Sequence, residues 1–266
     1  MIKAFAAIAA LLLVLPMALC ELDTSPYLDI TSQIIEKESQ REAARGHGDL
    51  DLVISLNREL DDLRTQLTTP QMQVLGKYSN VQPFLDESQM LLDKMQITLE
   101  SAWRAHSSDL TAVEEQMSAV ESSYGSQDYD VALSAMTDAE DMAFGLPASL
   151  ASAGVDGVTS LRSELERTSR ITPSMVSMLD TAQARFGDAR KSYDRAAQRI
   201  REANKADSDS ALAEGRGYAS EGFSMVSRAK EQEGDPLGEM KLVLILGPIV
   251  LVLGLLAYFY LKLKKG

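Results

Sequence analysis

Between Leu242 and Leu261 the chain reads LVLILGPIVLVLGLLAYFYL, twenty residues without a charge. As a helix rising about 1.5 Å per residue, such a run spans about 30 Å, the thickness of a bilayer's hydrocarbon core. A single segment satisfies all its backbone N–H and C=O groups in lipid only as a helix. The sequence therefore predicts one C-terminal transmembrane helix over residues 241–261. Tyr258, Phe259 and Tyr260 fall where an interfacial aromatic belt belongs, and Lys262, Lys264 and Lys265 follow them. Asp235 and Glu239 lie on the other side. Basic residues favour the cytoplasmic side, so the three lysines orient the span with the C-terminus inside and the preceding chain outside. The tail at 262–266 is too short to fold, so any signal would pass through a partner. A removable sorting signal has the same layout, but it also needs a recognition motif that Gly234-Asp235-Pro236-Leu237-Gly238 does not supply.

The other end supports the same orientation. Lys3, the apolar run Ala4–Leu15 and Pro16 precede small residues at Ala18 and Cys20. That order predicts a signal peptide over 1–20, cut before Glu21. Lipidation of Cys20 is disfavoured, because Leu19 and Met17 occupy places where that processing wants other residues. Cys20 is the only cysteine. A chain that loses it can form no disulfide, although its compartment would permit one. No Asn begins an Asn-x-Ser/Thr site, which with the missing thiol fits a prokaryotic envelope protein.

Residues 21–240 form the predicted extracytoplasmic part. They hold all 39 acids and 21 of the 26 bases, a net charge of −18. This acidity argues against nucleic-acid binding, which needs cations to replace counterions on phosphate. The composition is rich in Ala, Leu, Met, Glu, Gln and Arg and contains no alternating run long enough for a convincing strand, so it favours helix. Leu85, Leu92, Leu99, His106, Val113 and Val120 recur every seven residues, with Trp103, Leu110, Met117 and Tyr124 interleaved. One long helix, or two joined near His106–Asp109, puts these on one stripe. Met175, Leu179, Ala182, Phe186, Ala189, Tyr193, Ala196, Ile200 and Ala203 alternate steps of four and three, a coiled-coil seam. Val53, Leu56, Leu60, Leu63 and Leu67 form a third stripe.

Thr69-Pro70 and Thr172-Pro173 each offer a Thr N-cap with Pro at the first helical position. Gly145, Pro147, Gly154 and Gly157 read as breaks between helices. Asp-x-Asp recurs with its first residue at Asp49, Asp128 and Asp207, so both intervals are 79 residues. Asp there is suited to cap a helix start, where free N–H groups and the helix dipole favour a carboxylate. The spacing is either a duplication or a coincidence among short acidic caps. The resulting expectation is an all-α fold: an elongated, coiled-coil-like bundle of antiparallel helical hairpins at about 23–67, 84–146 and 174–231.

Charge is unevenly divided. No Lys or Arg occurs between Ala105 and Leu161, a segment that includes Glu114, Glu115, Glu121, Asp138 and Asp141. Residues 185–205 are basic, with Arg185, Arg190, Lys191, Arg195, Arg199 and Arg201. Solvated helix faces account for both biases. The sharper reading is a protein-contact surface in which the basic helix meets the acidic arm, within a chain or between chains. His47 and His106 have no Cys, and no His at helical spacing, to complete a metal site. The Asp-x-Asp pairs lack the ligand spacing of a calcium loop. No phosphate loop, nucleophile elbow or metalloprotease helix is present. The functional expectation is a membrane-anchored, non-enzymatic spacer, scaffold or assembly partner without a cofactor, which self-associates or binds another protein through its helix faces. The alternative is a ligand-sensing ectodomain signalling through a partner. A polar pocket near Trp103 or Tyr193 would favour the sensor, and a filled core the scaffold.

Overall fold

The computed structural model describes residues 22–234. The signal peptide, the span at 241–261 and the lysines after it lie outside the described residues. No helix among the described residues is long and apolar enough to cross a membrane. Among them the chain is all α-helix joined by short turns: α1 Ser25–His47, α2 Leu50–Leu67, α3 Pro70–Thr98, α4 Glu100–Gly125, α5 Tyr129–Arg167, α6 Pro173–Arg201 and α7 Lys205–Gly234.

The four hairpin turns share one backbone solution. Gly48, Gln127, Ser169 and Ala203 all have positive φ, between 53° and 74°. At each, two N–H groups reach back to carbonyls of the helix just ended, as in Asp128 N to Ser123 O and Gln127 N to Tyr124 O. This is the left-handed C-terminal motif that satisfies the last carbonyls of a helix. The next helix then starts on a side-chain cap. Asp49 accepts from Leu52 N, Asp128 from Val131 N and Thr172 from Met175 N. Thr69, at the tighter junction before α3, accepts from Met72 N.

The third Asp-x-Asp departs from the expected register. Asn204, not Asp207, caps α7: its Oδ1 accepts from Asp207 N at 3.1 Å, and its amide donates to Asp207 Oδ2 at 2.7 Å. Asp207 therefore sits inside the first turn. The positive-φ residue there is Ala203, whereas a strict 79-residue repeat would put it at position 206. Moving the turn three residues back keeps Ser208 buried, with its hydroxyl donating to Ala196 O at 3.0 Å.

The expected middle hairpin at 84–146 is replaced by three helices. α3 begins at Pro70 and runs through Gly76 and Pro83. The break falls at Leu99 (φ −133°, ψ 59°), not near His106–Asp109. Leu99 is almost fully buried, so a single non-helical residue reverses the chain without leaving the core. Nor do Gly145, Pro147, Gly154 and Gly157 break the chain, since α5 continues through all four. Packing explains two of them. A Cβ on Gly154 would sit 2.9 Å from the Phe186 ring, and one on Gly157 would sit 3.0 Å from Ala102 Cβ. These glycines are close-approach points within a helix held from both sides, where tertiary contacts override weak propensity.

At 39 residues α5 is the longest helix, about 58 Å. It packs on α3, α4 and α6. α6 runs antiparallel to it, since Arg162 pairs with Asp180 while Arg201 lies over Phe144. α7 pairs with α6 and runs parallel to α3, through Arg216–Glu87 and Lys94–Ser220. One continuous core links these helices, with Phe84 on Phe144 at 4.8 Å and Phe186 on Phe223 at 4.9 Å. The α6 seam is buried from Met175 to Ile200, while Ala203 is exposed in the turn. The α1–α2 hairpin stands apart. It packs mainly on itself and meets α3 at its base, where Tyr27 fills the space beside Gly76.

Candidate interaction faces

α6 buries its seam and turns its bases outward. Arg185 pairs with Glu221 at 2.8 Å and Arg195 with Glu214 at 2.7 Å, both on α7. Arg190, Lys191 and Arg199 pair with Asp194, Asp188 and Glu202 beside them in the chain. Arg201 covers the Phe144 ring. The carboxylates that pair with these bases thus come from the helix's own turns, its C-cap and α7, rather than from the acidic segment, which meets the helix through Phe144. Such exposed pairs contribute little, because solvent screens them, and they leave donor capacity facing solvent.

The acidic residues sit on the α4–α5 hairpin. Glu121 accepts from the Tyr78 hydroxyl at 3.2 Å, and Glu140 pairs with Lys77. Partial burial raises the Glu121 carboxyl above its ordinary range, and the Tyr78 hydrogen bond offsets part of that. Burial raises Glu114 as well. Glu115, Asp138 and Asp141 are exposed.

The densest polar contact in the core was not foreseen from sequence. Glu87 on α3 is fully buried; its Oε1 accepts from the Tyr193 hydroxyl at 2.6 Å and its Oε2 from Arg216 Nε at 2.7 Å. Burial, and then the Glu87 charge, push the Tyr193 hydroxyl far above the usual tyrosine range. The Glu87 hydrogen bond and charge likewise raise Arg216. The carboxylate thereby ties α3 to α6 and α7. Gly215 lets the helices close around it, since a Cβ there would meet the Tyr193 ring at 2.5 Å. The sequence signal beside it is the run of small residues Ala211, Ala213, Gly215, Gly217, Ala219 and Gly222 on α7, which marks close approach without naming the buried charge.

A cleft of about 400 Å³ opens where α3 breaks into α4, lined by Ser101, Arg104, Ser160, Glu164 and Lys230 among others. Arg104 pairs with Glu100 on its rim. His106 Nδ1 lies 2.8 Å from Asp109 Oδ2, and His47 is exposed at the end of α1. Among the described residues, no group of three His, Cys, Asp or Glu is placed to hold a metal ion. Comparison with protein-family models, curated proteins and solved structures finds no match.

Proposed function

We propose that this protein is a single-pass membrane protein whose extracytoplasmic helical part acts non-enzymatically as an envelope or surface spacer, scaffold or assembly partner. The observation that carries the reading is the course of α7. It runs helical to Gly234, eight residues before the uncharged run at Leu242. An anchor there would hold the α5–α6 end of the bundle near the bilayer and leave the α1–α2 hairpin at the far end. α6 and the α4–α5 hairpin would then present basic and acidic faces along the sides. The space around Tyr193 is filled by side chains, which suits a scaffold better than a sensor.

The test is to label single cysteines in intact cells with a membrane-impermeant maleimide. Labelling of Ser39→Cys but not of Gly266→Cys supports the orientation, and the reverse pattern overturns it. Pull-down of the full chain from native membranes at low and high salt then tests the charged faces, whose partners should be lost as salt rises. The ligand-sensing reading keeps one supporting observation, the cleft beside Ser101 and Arg104, which flank Trp103 in sequence.

A further inference from the structure

We infer that the cleft where α3 breaks into α4 binds a small zwitterion, one that carries a phosphate and an ammonium group a few bonds apart. The inference goes beyond the proposed scaffold by giving it a ligand, and it holds whichever side of a membrane the bundle occupies.

The cleft exists because α3 is shorter than its neighbours. α3 packs on both α5 and α7 and ends at Thr98. Gly157 of α5 stands level with that end, since a Cβ on it would sit 3.3 Å from Leu99 Cδ1. α5 nevertheless continues to Arg167, about 15 Å further, and α7 continues to Gly234. Past the turn at Leu99 the two long helices therefore have no α3 between them. Arg170, in the turn after α5, and Glu233 of α7 pair at 3.1 Å beyond the gap. The space left is about 400 Å³, within the range of small-ligand pockets, about 300–1,000 Å³.

Charge in this space is balanced but only half paired. Arg104, Lys230, Glu100 and Glu164 line it, two of each sign. Arg104 and Glu100 pair with each other on α4. The Lys230 ammonium on α7 and the Glu164 carboxylate on α5 line the same cleft but are too far apart to pair, and neither has a hydrogen-bond or ion-pair partner among the described residues. Opposite charges held on separate walls suit a molecule that brings one group of each sign, with charge-assisted hydrogen bonds at both ends.

The balance also sets the ligand's net charge. A lining that sums to zero, in a part of the chain that carries −18, gives a bare anion little net attraction. Arg104, Lys230 and the Ser101 hydroxyl supply more donors than the two oxygens of a carboxylate need, which suits a phosphate. The Glu164 carboxylate then takes the ammonium. A phosphodiester joined to an ethanolamine has this chemistry, as a free solute or as a lipid headgroup.

The experiment uses the full chain in a non-ionic detergent, titrated calorimetrically with glycerophosphoethanolamine. The zwitterion should bind at least tenfold more tightly than inorganic phosphate or ethanolamine alone. Lys230→Ala and Glu164→Ala should each weaken it at least tenfold with an unchanged unfolding transition. Arg228→Ala, at an exposed base of α7 outside the cleft, should leave it unchanged. Absence of binding, phosphate alone binding as tightly, or equal losses at Lys230 and Arg228 each overturn the inference. Reconstitution then separates the two sources. In bilayers of phosphatidylglycerol the soluble probe should still bind. Addition of phosphatidylethanolamine weakens the probe at least tenfold where a headgroup fills the cleft, and leaves it unchanged where a free solute does. Binding in detergent by a chain whose maleimide labelling is reversed keeps this site and overturns only the proposed orientation.

Discussion

The α1–α2 arm and the α3–α7 body are made of similar amphipathic helices, yet they are held together differently. In the body α3, α5, α6 and α7 each pack on at least two others, and aromatic side chains fill the shared core: Phe84, Phe144, Phe186, Tyr193 and Phe223. Charge enters that core once, as Glu87, with both oxygens hydrogen-bonded. In the arm each helix has one main neighbour, no aromatic residue is buried, and charged stems fill part of the seam. The difference shows that helix propensity and a good stripe are not enough. What fixes a helix is how many faces of it find partners.

The comparison makes graded predictions. Phe186 is fully buried against Phe223 and beside Gly154 and Gly222, so Phe186→Ala should cost about 3–5 kcal/mol and lower the main unfolding transition in denaturant. Leu60 is equally buried, but in the arm. Leu60→Ala should cost about 2–3 kcal/mol, the low end for such a change because the site collapses easily. Amide exchange should then rise across α1 and α2 alone; a matching rise across α5 would show that arm and body unfold as one. Glu87→Gln keeps the shape but removes the charge that Arg216 and Tyr193 face, and should cost the body about 1–3 kcal/mol by the same denaturant measurement.

Smaller effects test the turns. Gly48 has φ +74° with nothing within 4 Å of a Cβ, so Gly48→Ala should cost the arm about 1 kcal/mol through backbone strain alone. Ala203 adopts the same conformation without being Gly, so Ala203→Gly should stabilise the body by about 0.5–1 kcal/mol in thermal melts. The smallest expected effect lies at Glu114, whose folded-state pKa is raised by burial. A carboxyl raised in this way favours the fold below its unfolded value, and that contribution is lost as pH rises through its folded value. Glu114→Gln should therefore add a few tenths of a kcal/mol at neutral pH, solvent screening keeping the gain small. The gain should vanish below the ordinary glutamate value of 4.5.

Much of the architecture was legible because periodicity reports burial directly. The seam from Met175 to Ile200 is buried at every step, and the Leu56, Leu60, Leu63 stripe faces α1. The two Thr-Pro starts and the turns at Asp49 and Asp128 were legible because capping is local chemistry, decided within a few residues. The middle of the chain was not. No Gly or Pro marks Leu99, and the glycines of α5 look like breaks when read alone. The buried Glu87 was hidden because its partners lie 106 and 129 residues away in sequence.

Taken by itself, the sequence settled that the described chain is helical, which faces are apolar, and where most helices begin, since each depends on side chains within a turn or two. Tertiary structure decided which glycine is a stop and which a point of contact, where α3 yields to α4, and which acid enters the core. Those outcomes turn on whether a distant helix arrives to fill a gap or satisfy a charge, and no local window contains that information.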